Sequence, residues 1–114
     1  MAGCVANIEM KNREIREEFD EKDVDFVMLD LPVPWELLPA VSISLKSGCR
    51  CASLLPTVNQ TEEFVFALEK AGYVDIEVIE CLVRRMLVRK GKTRPEQLMP
   101  SHTGYLIFAT KVSR

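Results

Sequence analysis

The residues and patterns that the 114-residue sequence lacks exclude several kinds of functional site. It has a single histidine, His102, and its one close cysteine pair, Cys49 and Cys51, has no second pair to complete a metal-binding set. No apolar run approaches the roughly 20 residues needed to span a membrane. The formal net charge of −2 gives no general sign of a nucleic-acid binder. We therefore expect no metal ion and no membrane-spanning segment.

Apolar residues make up 47% of the chain, which is enough to build the core of one domain. In a strand, the C-x-C spacing of Cys49 and Cys51 would point both thiols to one face. Together with Cys4 and Cys81, we expect them to be reduced and buried, as in a cytosolic protein.

The most informative stretch is the apolar run at residues 26–29 and the corner that follows it. The run predicts a short buried strand. Asp30 comes at its carboxyl end, where open α/β sheets place ligands and chemistry. Pro32 and Pro34 fix φ and keep the residue before each of them extended, so a rigid corner presents Asp30 and Trp35 at the lip of the sheet. A strand followed by a helix start explains the same residues without a site, and both interpretations stay open.

The rest of the pattern alternates helices and strands and predicts an α/β sheet. Apolar residues recurring every three or four positions predict a helix that begins near Pro39 and ends at residues 46–48. Thr57 and Gln60 have the spacing of a capping box, and Gly72 is the expected residue after the helix that they open. The other expected elements are a short strand at residues 7–11, a solvated turn or short helix at 13–25, and strands at 49–55, 74–79 and 105–110. After residue 79 the apolar pattern shifts phase, which predicts either a bulge or a long bent strand.

A basic segment at residues 84–94 contains six cationic side chains: Arg84, Arg85, Arg89, Lys90, Lys92 and Arg94. Gly91 and Pro95 predict that it is a loop. Such a segment fits contact with nucleic-acid phosphates, a subunit contact or a merely solvated loop.

Four motifs occur in order, at residues 29–35, 54–57, 91–96 and 102–106. They read LDLPVPW, LLPT, GKTRPE and HTGYL. In this order and spacing they resemble the carboxyl-terminal half of the tRNA adenine-N1 methyltransferases that act at position 58. Each motif alone is weak, whereas the four together are specific, and the resemblance extends from about residue 7 to residue 112.

The resemblance implies a partial class I methyltransferase fold, which is a Rossmann-like α/β sheet. The strands above would be the third to the seventh, with the last antiparallel and inserted between the fifth and sixth, and the fourth left at an open edge. Residues 1–114 would be the C-terminal part of the catalytic domain. The family also implies S-adenosylmethionine as methyl donor, tRNA as substrate, and assembly as a tetramer or with a complementary subunit. The expected location is the cytoplasm, or the nucleus in a eukaryote.

The same resemblance implies roles for single residues. Asp30 is the candidate catalytic residue, because its carboxylate would accept a hydrogen bond from the exocyclic amine of adenine and stabilise the positive charge that methylation leaves on the base. Trp35 would stack on that base or pack beneath the corner. Glu14, where the family usually has aspartate, would contact the adenine of the donor. The rest of the substrate pocket would be Leu31, Pro32, Pro34, His102, Thr103 and Gly104, although His102 also fits a hydrogen bond within a turn. RNA contacts are expected from Arg85, Arg89, Lys92 and Arg94.

Two family features have no counterpart, namely the glycine-rich donor loop and the acidic residue that ends the second strand. The five glycines are scattered and form no G-x-G triplet. We therefore expect a fragment, a truncated reading frame or a degenerate copy of an enzyme, inactive alone and without useful affinity for S-adenosylmethionine. The alternative is a noncatalytic subunit that binds tRNA or supports assembly.

Overall fold

The computed structural model describes residues 6–15, 17–96 and 104–112. Its strands are β1 (Val24–Leu29), β2 (Leu45–Leu55), β3 (Val74–Cys81), β4 (Met86–Leu87), β5 (Arg94–Pro95) and β6 (Gly104–Thr110). Its helices are a 3₁₀ helix (Pro34–Leu37), α1 (Leu38–Ser44) and α2 (Val58–Lys70). In the described part of the chain, no helix is long and apolar enough to cross a membrane. The same part contains no group of three or more His, Cys, Asp or Glu residues that could hold a metal ion.

The main sheet has four strands in the order β1-β2-β6-β3. β1 runs parallel to β2, whereas β6 runs antiparallel to both β2 and β3. The last strand is thus inserted antiparallel between its two predicted neighbours, and β1 lies at an edge, as the resemblance implied. β4 and β5 form a separate two-stranded hairpin within the basic segment.

The core lies on one face of the sheet, where the helices pack. The strand residues Cys51, Leu55 and Ile107 form one buried cluster with Phe64 and Leu68 of α2. Phe64 and Leu68 are four residues apart, so both side chains project from one side of the helix. Each fully buried side chain of this size contributes about 1.5–3 kcal/mol through removal of apolar surface from water.

The opposite face of the sheet carries exposed apolar side chains. The register places Phe26 and Met28 of β1, Leu54 of β2 and Ile79 of β3 on this face. Phe26 and Met28 remain 49% and 47% exposed. The four-stranded sheet is therefore covered by helices on one side only, within the ranges that the structure describes.

Both ends of α2 are closed as the sequence predicted. The Thr57 hydroxyl oxygen accepts a hydrogen bond from the backbone N–H of Gln60 at 3.1 Å. Gly72 has a φ of +86°, which favours glycine. The N–H groups of Gly72 and Tyr73 donate to the carbonyls of Glu69 and Leu68, both at 3.0 Å, and complete a Schellman motif.

Two predicted boundaries are wrong. Residues 7–11 form no strand among the described residues, because no neighbouring strand of the sheet lies beside them to accept and donate the ladder hydrogen bonds. α1 ends at Ser44 and β2 follows at once, so residues 46–48 belong to the strand instead of ending the helix. The cause is a tertiary contact, since the Lys111 ammonium donates to the carbonyls of Ser42 and Leu45 at 2.6 and 2.5 Å.

The half-buried alternation predicted for β3 is also wrong. Val74 and Val78 are exposed and only Ile76 of the predicted apolar set is partly buried. The register shift between Val74 and Glu77 breaks the alternation, since Val74 pairs with Thr110 and Val78 with Ile107, which lie on opposite faces of β6. Of the two alternatives after Ile79, the bulge is wrong, since β3 continues in register to Cys81 and its irregularity lies between Val74 and Glu77.

The central cysteines lie on the core side of β2. Cys51 is fully buried and Cys49 is partly buried, and both are free thiols. Burial raises the pKa of the Cys51 thiol to about 11, so this thiol is protonated at neutral pH. Cys4 lies outside the described residues.

Candidate active site

Asp30 follows directly on the last residue of β1. Leu29 is buried, and its carbonyl accepts a hydrogen bond at 2.8 Å from the hydroxyl of Ser53, which is buried in β2. This bond fixes the strand end from the neighbouring strand. The next residue, Asp30, is exposed, so its carboxylate is presented to solvent at the carboxyl edge of two parallel strands.

The corner after Asp30 is tied to the first turn of α2. The Gln60 side-chain amide donates to the Pro32 carbonyl at 2.9 Å. The Thr57 hydroxyl donates to the oxygen of the same amide at 2.7 Å. On the far side of the corner, the Glu36 N–H donates to the Val33 carbonyl at 3.0 Å and starts the 3₁₀ helix.

A shallow cleft of about 250 Å³ opens beside the carboxylate. Its lining residues are Asp30, Leu31, Pro32, Leu54, Pro56 and Gln60. This volume lies just below the range of roughly 300–1,000 Å³ that is usual for small-molecule sites. The cleft therefore has the size of part of a small-molecule site, with one carboxylate at its side.

The predicted pocket residues are divided between this cleft and other places. Leu31 and Pro32 line the cleft with Asp30, whereas Pro34 is buried at the start of the 3₁₀ helix. Trp35 lines a different cleft, together with α1 and α2 residues such as Leu38 and Ala67. Of the two roles considered for Trp35, this position favours packing beneath the corner.

Gly104 is the one described residue among the three site residues predicted in the last motif, and it lies against the cleft wall. A Cβ added to it would meet Leu54 Cδ1 at 3.0 Å and the Leu55 carbonyl oxygen at 3.5 Å. The absence of a side chain therefore lets β6 approach Leu54 closely. His102 and Thr103 lie outside the described residues, and their roles stay predictions.

Three residues that line the cleft were not predicted as site residues: Leu54, Pro56 and Gln60. The sequence did contain a signal for Leu54 and Pro56, since both belong to the LLPT motif at the end of the strand next to Asp30. Gln60 was assigned only to capping, because sequence spacing does not show that its side chain points away from its own helix.

Glu14 lies in the exposed segment before β1. Exposed ion pairs within this segment join Lys11 to Glu21 at 2.6 Å and Arg13 to Asp20 at 2.8 Å. Because of its hydrogen bond to Lys11, the pKa of Glu21 is lowered and that of Lys11 is raised. The predicted contact of Glu14 with a methyl donor stays a prediction.

The basic segment is a hairpin whose cationic side chains are exposed. Gly91 has a φ of +77° at its turn, where the Lys92 N–H donates to the Arg89 carbonyl at 2.9 Å. At its base, the Glu96 N–H donates to the Arg85 carbonyl at 2.9 Å. Among the residues described, none of the six basic side chains forms an ion pair with a carboxylate. Arg85, Arg89, Lys92 and Arg94 are therefore available to an anionic partner.

Solved structures define the class to which this fold belongs. An S-adenosylmethionine-dependent O-methyltransferase from Thermotoga maritima matches with a TM-score of 0.82 and 44% identity, over 90% of this chain and 38% of that chain. The tRNA (m1A58) methyltransferase TrmI from Aquifex aeolicus matches with a TM-score of 0.74 and 30% identity, over 95% of this chain and 42% of that chain. The fold is that of a Rossmann-like, S-adenosylmethionine-dependent methyltransferase, present here in part.

The sequence comparison narrows the class to a family. The family described as "tRNA methyltransferase complex GCD14 subunit" matches residues 2–98. The tRNA (adenine(57)-N(1)/adenine(58)-N(1))-methyltransferase TrmI of Methanocaldococcus jannaschii is 36% identical over 104 residues, which cover 90% of this chain and 37% of that protein. The chain belongs to this family of tRNA methyltransferases, and it spans only 37% of the length of that curated relative.

Proposed function

We propose that this chain provides the base-binding part of an enzyme that methylates N1 of an adenine in tRNA. The observation that carries the proposal is the exposed Asp30 carboxylate, held at the carboxyl end of β1 beside a cleft of about 250 Å³. Family membership and the named activities of the relatives support the reaction type.

The chemistry follows from the charge on the base. N1 of adenine attacks through its lone pair, and the base acquires a positive charge as the new bond to the methyl carbon forms. The bond between that carbon and the positively charged sulfur of the donor would break at the same time, and the sulfur would leave with the electron pair as a neutral thioether. Asp30 accepts a hydrogen bond from the exocyclic amine, which orients the base and becomes stronger as that charge develops. The interaction thus favours the transition state over the ground state.

S-adenosylmethionine, the family's donor, would supply the electrophilic methyl group. The described residues do not fit the donor as a complete site, since their glycines form no backbone cradle. Gly48 lies in β2 with its N–H bonded to the Lys111 carbonyl, Gly72 ends α2, Gly91 makes the hairpin turn, and Gly104 packs against Leu54. Apart from the predicted contact of Glu14, we therefore assign donor binding to the part of the relatives that lies outside the matched region. To this chain we assign the binding of the base and the stabilisation of its charge by Asp30.

The test is a hybrid enzyme in which this chain is joined to the amino-terminal part of a relative. Asp30→Asn keeps the size and one acceptor oxygen but removes the charge. We expect kcat for methylation of a tRNA transcript to fall by roughly two to three orders of magnitude, with little change in KM. Glu36→Gln removes an exposed charge from the adjacent 3₁₀ helix and serves as the matched control. Equal rates for the two variants would show that Asp30 is only a strand-end residue.

A second candidate function is a noncatalytic subunit that binds tRNA or supports assembly. The basic hairpin favours it, because its exposed cations need no methyl donor to bind phosphates. Under either proposal the partners are tRNA and either further copies of this chain or a complementary subunit, in the cytoplasm or nucleus. Binding of tRNA by this chain alone, without activity in the hybrid, would favour the subunit.

A further inference from the structure

Gln60 is the residue through which α2 holds the corner that carries Asp30. Its amide oxygen accepts from the Thr57 hydroxyl at 2.7 Å, and its amide nitrogen donates to the Pro32 carbonyl at 2.9 Å. The first bond sets which end of the amide faces the corner. The two bonds form one chain from the helix cap to a carbonyl two residues after Asp30.

This use of Gln60 departs from ordinary capping. In a capping box the glutamine side chain returns to the backbone N–H of the cap residue. Here only one of the two capping-box hydrogen bonds forms, in which the Gln60 N–H donates to the Thr57 hydroxyl oxygen at 3.1 Å. The side chain is directed away from its own helix and across to Pro32.

Pro34 packs into the core, but the backbone of the corner has few hydrogen bonds of its own. Pro32 and Pro34 have no N–H, so two of its backbone donors are missing. Its local bond, from the Glu36 N–H to the Val33 carbonyl, lies on the far side of Pro32 from Asp30. The near side, which carries the carboxylate, is tied to α2 by the Gln60 amide.

We propose that Gln60 is a positioning residue that fixes the Asp30 corner against α2. It also lines the cleft, but the role assigned here is exerted through Pro32. The consequence for catalysis rests on the proposed function, whereas the consequence for the corner does not.

The first test uses this chain alone. Gln60→Glu keeps an acceptor for Thr57 but cannot donate to Pro32 while ionised. We expect amide exchange at Glu36, whose bond closes the corner, to become roughly fivefold faster, while β2 and β6 amides stay unchanged. Lowering the pH through the pKa of the new carboxyl should bring the ratio of the variant to the wild-type exchange rate at Glu36, measured at the same pH, back to about one, since the protonated acid donates again. Asn59→Asp adds the same charge on the same helical turn and should leave the Glu36 amide unchanged.

A second, uncharged variant tests whether the faster exchange comes from the lost hydrogen bond or from the charge that Gln60→Glu adds. Gln60→Met has a similar shape and no polar atoms able to hold the carbonyl, and we expect the same faster exchange without rescue by acid. If neither variant affects Glu36 more than Asn59→Asp does, the positioning role is wrong. It is also wrong if both variants speed exchange equally throughout the sheet, because Gln60 would then only stabilise the fold.

In the hybrid enzyme, Gln60→Met should lower kcat roughly tenfold with an unchanged KM for tRNA, because misplacement of a reacting group affects the rate more than binding. A normal rate for Gln60→Met beside a slow Asp30→Asn would overturn this inference and leave the proposed function standing. Normal rates for both variants would overturn the role of Asp30 itself.

Discussion

Lys111→Met is predicted to destabilise the fold much more than removal of a surface lysine. The Lys111 ammonium donates to the carbonyls of Ser42 and Leu45 at 2.6 and 2.5 Å and is partly buried there. A hydrogen bond to a charged group contributes about 1.5–3 kcal/mol when buried. Discounting both bonds for partial exposure, we expect a decrease of about 2–3 kcal/mol in the free energy of unfolding, which is about 8–15 °C in Tm for a chain of this size.

The backbone of Lys111 is anchored independently of its side chain. Its N–H donates to the Cys49 carbonyl at 2.9 Å and its carbonyl accepts from the Gly48 N–H at 2.7 Å, so methionine should leave the strand in place. Lys46→Met is the control, since Lys46 makes an exposed ion pair with Asp25 at 2.8 Å, a type of contact that contributes about 0–1 kcal/mol. Equal destabilisation by the two variants in urea denaturation would refute the capping argument.

The remaining predictions concern ligands and reactivity. Replacing Arg89, Lys92 and Arg94 by alanine should weaken tRNA binding at low salt and reduce the slope of log affinity against log salt by about 0.7–0.9 for each phosphate that is no longer neutralised; an unchanged slope would identify a solvated loop. Calorimetric titration of this chain with S-adenosylmethionine should show no useful affinity, and a micromolar Kd would contradict our account of donor binding. Because burial raises the pKa of the Cys51 thiol to about 11, only about one thiol in a thousand is ionised at pH 8. Alkylation should therefore be slow at pH 8 and accelerate as the pH rises towards about 11. Rapid labelling of Cys51 at pH 8 in the folded chain would show that the thiol is not buried.

Local signals in the sequence were sufficient for several elements. The cap at Thr57 and the terminating Gly72 act within a few residues of the helix that they bound, so the range of α2 could be predicted. The apolar run before Asp30 likewise predicted the strand β1, but its predicted burial is wrong for Phe26 and Met28, which are 49% and 47% exposed. The order of strands came from the family resemblance, because pairing between distant strands is not encoded in local periodicity.

The wrong predictions share a different cause, which is the distance of the deciding contact along the chain. α1 ends early because Lys111, which follows β6, satisfies carbonyls at its end. Residues 7–11 have a strand-like pattern, but a pattern without a paired neighbour forms no ladder. Gln60 matched a capping box, yet its side chain binds Pro32, 28 residues earlier.

The sheet face opposite the helices, which carries Phe26 and Met28, affects how much of the chain accumulates in a cell. Phe26 and Met28 lie at an open edge strand, about half exposed, where natural proteins usually place charge or a covering element. Exposed apolar surfaces and unpaired strand edges are bound by chaperones and promote aggregation at high concentration. The amount of chain that persists should therefore depend on how quickly that face is covered after synthesis, more than on how firmly the helical side is packed.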